Sequence, residues 1–149
     1  MHVRRVTSET DWAAARVIRQ RVFVEEQACP PEEEWDEHDW PAPHGVHLLG
    51  EEDTTAVATA RWRPVLLEGS EAAKLERFAV LPRWRGRGLG RAMIAAAIED
   101  ARASGATRFV LHAQAHLEPL YASFGFTTVG ERFEEAGIPH VKMVREDAR

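Results

Sequence analysis

Between Leu75 and Met93 the chain passes from an apolar strand pattern, through a short loop and three closely spaced glycines, into an alanine-rich helical stretch. Without Cβ atoms, glycines let a backbone curl so that several N–H groups point inward and a phosphate approaches closely. A helix starting directly afterwards adds the positive end of its dipole. Arg85, Arg87 and Arg91 bring cationic reach to the same turn.

Three readings of this turn compete. A Walker A loop ends in Gly-Lys-Ser/Thr, whereas Gly90 is followed by Arg91-Ala92, which argues against a nucleotide triphosphatase. A dinucleotide fingerprint needs Gly-x-Gly-x-x-Gly, and Gly86, Gly88 and Gly90 misplace the third glycine. The remaining alternative to a phosphate cradle is an arginine-glycine turn with no ligand.

The flanking pattern gives the architecture. His2–Val6 reads as a short strand, followed by a helix starting near Thr10 with Trp12, Ala15, Ile18 and Val22 along its apolar face. Cys29–Pro41, with three prolines and six acidic residues, reads as an exposed loop with at most one helical turn. Strands are predicted over Val46–Gly50, Thr55–Val65 and Ala72–Val80, then a helix over Leu89–Ser104 stopped by Gly105. Arg108–Ala113 is a strand, Leu117–Phe124 a short helix, and Phe126–Phe133 and Val141–Val144 a closing pair joined through Glu134–His140. This order implies a mixed α/β layer fold with one parallel crossover around the long helix.

Composition narrows the partners. A chain of 149 residues with 44% hydrophobic and 29% charged side chains is expected to form one compact domain spanning 1–149. Its net charge of -5 disfavours nucleic acid as a partner. No run approaches the roughly 20 apolar residues that cross a bilayer, and no apolar signal-like stretch follows Arg5. The lone Cys29 asks for no oxidising compartment, so a cytoplasmic location is expected. A homodimer is compatible with the sequence and not demanded by it.

The segment Arg85-Gly86-Arg87-Gly88-Leu89-Gly90 resembles the Arg/Gln-x-x-Gly-x-Gly/Ala signature of the GCN5-related N-acetyltransferase (GNAT) superfamily, with Arg77–Pro82 placed like that family's fourth strand. Gln114, Tyr121 and Gly125-Phe126 resemble its second signature, in which asparagine often holds the first position. Arg21–Gln27, His112–Gln114 and Gly137–His140 look like the small bacterial ElaA-like branch. The resemblance covers nearly the whole chain. It implies a mostly antiparallel sheet splayed in a V, with helices on both faces, and acetyl-CoA as co-substrate. The pantetheine arm is then expected along Phe78, Ala79 and Val80. The pyrophosphate falls to Arg85, Gly86, Arg87, Gly88, Leu89, Gly90 and Arg91, with Gln114 also on the cofactor side.

The expected reaction is direct attack of an amine, from a small molecule or peptide, on the thioester. The amine must lose a proton, the tetrahedral oxyanion needs a donor, and the leaving thiolate benefits from an acid. By resemblance Tyr121, the only tyrosine, is the acid; packing against Phe124 and Phe126 is the alternative. For the base the candidates are Glu76, provided burial raises its pKa, then His112, then ordered water. Strand alternation places Glu76 on the face of Phe78 and Val80, where a salt bridge is the competing role. The Val80 N–H is the candidate oxyanion donor. Glu25 and Glu26, with His112, are candidate substrate contacts. The acidic run from Glu32 to Asp39 reads as a solvated surface, the alternative being a rim that steers a cationic amine. Asp36, His38, His44 and His47 have no recognised metal-ligand spacing, so no metal is expected. A non-catalytic acyl-CoA sensor is the competing function.

Overall fold

Seven strands form one sheet in the order β1-β2-β3-β4-β5-β7-β6. They are β1 (His2–Arg5), β2 (Val46–Glu52), β3 (Thr55–Leu67), β4 (Ser70–Val80), β5 (Arg108–Gln114), β6 (Thr127–Glu135) and β7 (Ile138–Glu146). Every neighbouring pair is antiparallel except β4 and β5. The structure is a computed structural model that describes residues 1–148.

Helices lie on both faces. The α3 helix (Leu89–Ala103) is the β4-to-β5 crossover, and it buries Met93, Ile94, Ala97 and Ile98 against Ala60, Trp62, Leu75 and Leu111. Burying such aliphatic side chains is worth about 1.5–3 kcal/mol each. On the other face α1 (Glu9–Arg19) packs Ala15 and Ile18 on Leu49 and Ala79. Its N-cap is Ser8 rather than Thr10: the Ser8 hydroxyl accepts from the Asp11 N–H at 3.1 Å. Arg4 then forks the Asp11 carboxylate at 2.7 and 2.8 Å, tying the helix to β1. The helix runs on as a π-helical stretch, Gln20–Glu26, that buries Val22.

Two differences from the expected elements bear on the site. The closing strands reach Glu135 and Ile138, so their connection is not the long link Glu134–His140 but the two-residue turn Ala136-Gly137. Both turn residues have positive φ, 51° and 75°, the geometry of a tight hairpin. The segment Cys29–Pro41 carries the one helical turn allowed for it, α2 (Pro31–Glu34), but it is not wholly solvated: Glu34 is only 3% exposed.

Candidate active site

The parallel ladder between β4 and β5 is short: Ala73, Lys74 and Leu75 pair with Phe109, Val110 and Leu111, and there it ends. Beyond that point the two strands part. The V opens into a cavity of about 450 Å³ whose lining includes Glu76, Phe78, His112, Gln114, Tyr121 and Glu135.

A bulge in β4 sets which groups face this gap. Thr59 pairs with Ala79 but Arg61 pairs with Glu76, so β4 carries one extra residue there. Arg77, at φ 61°, takes up the left-handed turn. Glu76 therefore shares a face with Ala79 and Lys74, and not with Phe78 and Val80 as simple alternation predicts. Phe78 instead turns to the α3 side, where its ring lies 6.2 Å from that of Tyr121. Leu81 N–H donates to Val57 C=O across the Ala58–Val80 pair, which makes that pair the non-hydrogen-bonded type. The Val80 N–H and C=O consequently point away from β3, into the V.

At the mouth of the V, Gly86 and Gly88 hold φ values of 79° and 80°, and a Cβ at either would meet nothing within 4 Å. The N–H groups from Gly86 to Arg91 donate to no protein acceptor among the described residues, and α3 begins among them. Six consecutive unpaired amides at a helix N-terminus, in open space, fit an anionic diphosphate. The Arg87 guanidinium lies over Trp84 and that of Arg91 over Phe124, each at 4.8 Å. Arg85 holds the loop from behind: it donates to Val80 C=O at 3.0 Å and clasps Glu26 with two contacts of 2.6 Å.

Tyr121, on α4 (Glu118–Ala122), is 6% exposed and packs edge-on against Phe126. Burial pushes its phenol up to about 12. Its hydroxyl makes no hydrogen bond to the protein among the described residues. Gln114 donates to Gln27 at 3.1 Å, bridging the end of β5 to the residue that follows the π-helical stretch.

The condition set for Glu76 is not met. Burial alone would raise its carboxyl, but Arg61 outweighs that, with help from Arg63 and Arg77, and holds it below the usual carboxylate range. Arg61 donates directly to Glu76, and Arg63 donates to it at 3.1 Å. These contacts belong to a buried network. Arg19 and Arg61, each 1% exposed, take Glu34, Asp36 and Asp39 as partners. Arg77 donates to the Glu34 carbonyl at 2.9 Å and to Asp36 at 3.2 Å. The expected solvated acidic run is thus half folded inward, as counter-charge to arginines that would otherwise be buried unpaired. Of the candidate substrate contacts, Glu26 is spent on Arg85. Glu25 lines a separate groove with Arg21 and Trp84, outside the V. No group of three His, Cys, Asp or Glu side chains among the described residues is arranged to hold a metal ion.

Only His112 of those three faces the cavity, and it has company that alternation along single strands does not reveal. Its Nδ1 lies 3.0 Å from Glu135 Oε1, and the other oxygen of Glu135 lies 3.6 Å from His140 Nε2. Glu135 and His140 are brought there by the hairpin whose turn was expected to be a longer link.

A V-shaped sheet, a glycine turn with six free amides and a buried phenol define an acyltransferase class of site. The chain belongs to the GNAT acetyltransferase family: the family's Acetyltransferase (GNAT) domain pattern matches residues 46–146. A Bacillus subtilis (strain 168) protein named as an acetyltransferase is 38% identical over 147 residues, 99% of this chain and 97% of its own. The crystal structure of Escherichia coli ElaA superposes with a TM-score of 0.85 at 31% identity, covering 97% of this chain and 99% of that one. An acyl-CoA N-acyltransferase from Pseudomonas aeruginosa gives 0.84 at 32%, covering 97% of each chain. The chain is therefore a GNAT-type acetyltransferase resembling the ElaA branch, and its family draws acetyl groups from acetyl-CoA.

Proposed function

We propose that the 149 residues form one catalytic domain that transfers acetyl from acetyl-CoA to a primary amine of a small molecule or peptide, by direct attack. The observation that carries this reading is the row of free amides from Gly86 to Arg91 at the head of α3, beside a strand edge that has lost its partner. The diphosphate accepts from those amides, and Arg87 and Arg91 lend charge. The pantetheine amides pair with the free edge of β4 through the backbone of Phe78 and Val80, with Ala79 between them turned to β3 and Arg85 sharing the Val80 carbonyl, as an added strand would. The Val80 N–H, directed into the V, then faces the thioester oxygen and stabilises the oxyanion. Gln114 borders the same passage.

Tyr121 serves the leaving sulfur. A phenol near 12 against a thiol near 8.5 makes complete proton transfer uphill by about 5 kcal/mol, so its service is a hydrogen bond to the thiolate, not surrender of the proton. The proton that ends on sulfur comes from the acylated amine. No helix among the described residues is long and apolar enough to cross a membrane, and we assign the enzyme to the cytoplasm.

The test is incubation with acetyl-CoA and a panel of amines, monitored for free thiol, alongside thermal shifts with CoA and with ATP. Thiol release with at least one amine and stabilisation by CoA alone are expected. Stabilisation by CoA without thiol release for any amine would make the chain a sensor; no stabilisation by CoA would remove the cradle.

A further inference from the structure

We propose that His112 and Glu135 form a base dyad that removes the proton from the acceptor amine, with His140 and Phe133 fixing its geometry. The assignment rests on the acetyl-transfer reading above and names the group that this reading leaves open.

His112 is the residue at which the sheet forks. Lys74 pairs with Val110 and Leu75 with Leu111, so Glu76 and His112 come next, on the same face, where the strands part. Glu76 is already committed to Arg61 and Arg63. His112 is 27% exposed, and among the described residues the charged group its ring contacts is Glu135. Glu135 is half exposed, and a carboxylate in that setting is ionised at neutral pH and only accepts. An ionised carboxylate cannot donate, so His112 Nδ1 carries the hydrogen. In the neutral ring Nε2 is then left bare, with a lone pair and no protein partner among the described residues. This is how a carboxylate behind an imidazole selects a basic tautomer.

A second histidine borders the carboxylate. His140 Nδ1 lies 2.7 Å from the Ile138 carbonyl, which only accepts, so that nitrogen also carries its hydrogen. Its Nε2 lies 3.6 Å from the Glu135 oxygen that His112 does not use, outside hydrogen-bond range, and with Nδ1 already holding a hydrogen it attracts that oxygen only as an imidazolium. Phe133 lies edge-on to His112 at 5.0 Å and stacks on His140 at 6.0 Å, so neither ring turns freely. The Ala136-Gly137 turn places Glu135 between the two rings. The other charged groups around this cavity are Lys142, opposite His112 on β7, Lys74, Glu76 and Arg77 on β4, Arg63 on β3, and the carboxylates of Glu33, Glu34 and Asp36.

The proton and electron count closes. His112 Nε2 takes one proton from the ammonium, which frees the nitrogen lone pair. That pair forms the C–N bond at the thioester carbon, and the C–S bond breaks with its electrons on sulfur. The amide nitrogen then loses a proton that ends on the thiolate, and His112 returns its own to solvent. Ammonium and acetyl-CoA become amide, CoA thiol and one released proton.

The experiment uses the full chain. In the protein without substrate, nitrogen NMR of the His112 ring is expected to show the Nδ1–H tautomer, lost on Glu135→Gln. With an amine identified by thiol release, His112→Ala is expected to lower kcat by about 10²–10⁴-fold. The CoA thermal shift should stay as in the wild type, and added imidazole should restore part of the rate. Glu135→Gln, at a half-exposed position, should lower kcat and displace the acidic limb of the pH profile. An Nε2–H tautomer in the wild type would overturn the dyad, as would a His112→Ala enzyme within about threefold of wild type with an unmoved pH profile. A wild type that releases no thiol with any amine overturns the acetyl-transfer reading, which the tautomer result cannot do.

Discussion

Replacing Gly88 separates conformational cost from ligand binding. Gly88 sits at φ 80° and ψ 10°, and a Cβ there meets nothing within 4 Å. No clash is therefore available to destabilise the free protein, and the whole cost of Gly88→Ala comes from holding an L-residue in the left-handed region, about 1 kcal/mol. In a chain of this length that lowers Tm by about 2–4 °C. CoA binding responds differently. At 100-fold excess over Kd a ligand stabilises the native state by about 2.7 kcal/mol, several degrees on the same scale. Gly88→Val adds bulk in the open space and biases the loop away from the conformation that aligns the Gly86–Arg91 amides. The apo protein should melt only slightly below Gly88→Ala, while the CoA-dependent shift of the wild type disappears. Differential scanning fluorimetry with and without CoA reads both numbers. A Gly88→Val protein that keeps the full ligand shift would refute the cradle. An apo loss well above 3 kcal/mol would refute the assignment of the cost to φ alone.

Three further outcomes follow from the site and its supports. Tyr121→Phe should reduce kcat while leaving the Kd of CoA unchanged, since the hydroxyl has no hydrogen-bond partner among the described residues to lose; stopped-flow thiol release and calorimetry check the two halves. Arg61→Met should destabilise by about 3–5 kcal/mol in urea unfolding, because it strands Asp36, Asp39 and Glu76 around a site that is 1% exposed. His47 is buried with its pKa pushed down to about 4 by burial, against 6.5 for the free side chain. Between those values the unfolded chain binds the proton and the folded one does not, so stability falls as pH drops from about 6.5 to 4, by up to about 3 kcal/mol. His47→Gln should flatten that part of the stability–pH curve, and an unchanged slope would show that His47 is not its source.

The element order was readable because each long element carries its own period: Ala15, Ile18 and Val22 along one helix face, Met93 and Ala97 along another, and alternation through β3. The glycine turn was readable because phosphate recognition by backbone amides needs glycines at fixed spacing. What escaped was set by pairing between distant segments. The bulge at Arg77 has no local signature, since the residue is an arginine in a backbone region that favours glycine, and it reversed the face expected for Glu76. The acidic run looks like solvated surface because its partners, Arg19, Arg61 and Arg77, lie 15 to 43 positions away in the chain. Glu135 was hidden for the same reason. Only the Ala136-Gly137 turn, which Gly137 could have signalled, brings it beside His112.

The extra residue in β4 acts on side-chain direction as a frameshift acts on a coding sequence. Upstream of it the strand delivers Lys74 and Glu76 to the face that carries His112; downstream it restores Ala79 to that face and sends Val80 to the other. Deleting Arg77 alone would leave the hydrophobic content of β4 intact while exchanging inside for outside along one half of it. One spliced position thus lets a single strand serve two readers, an ionic cluster on one side and an acyl carrier's arm at the edge.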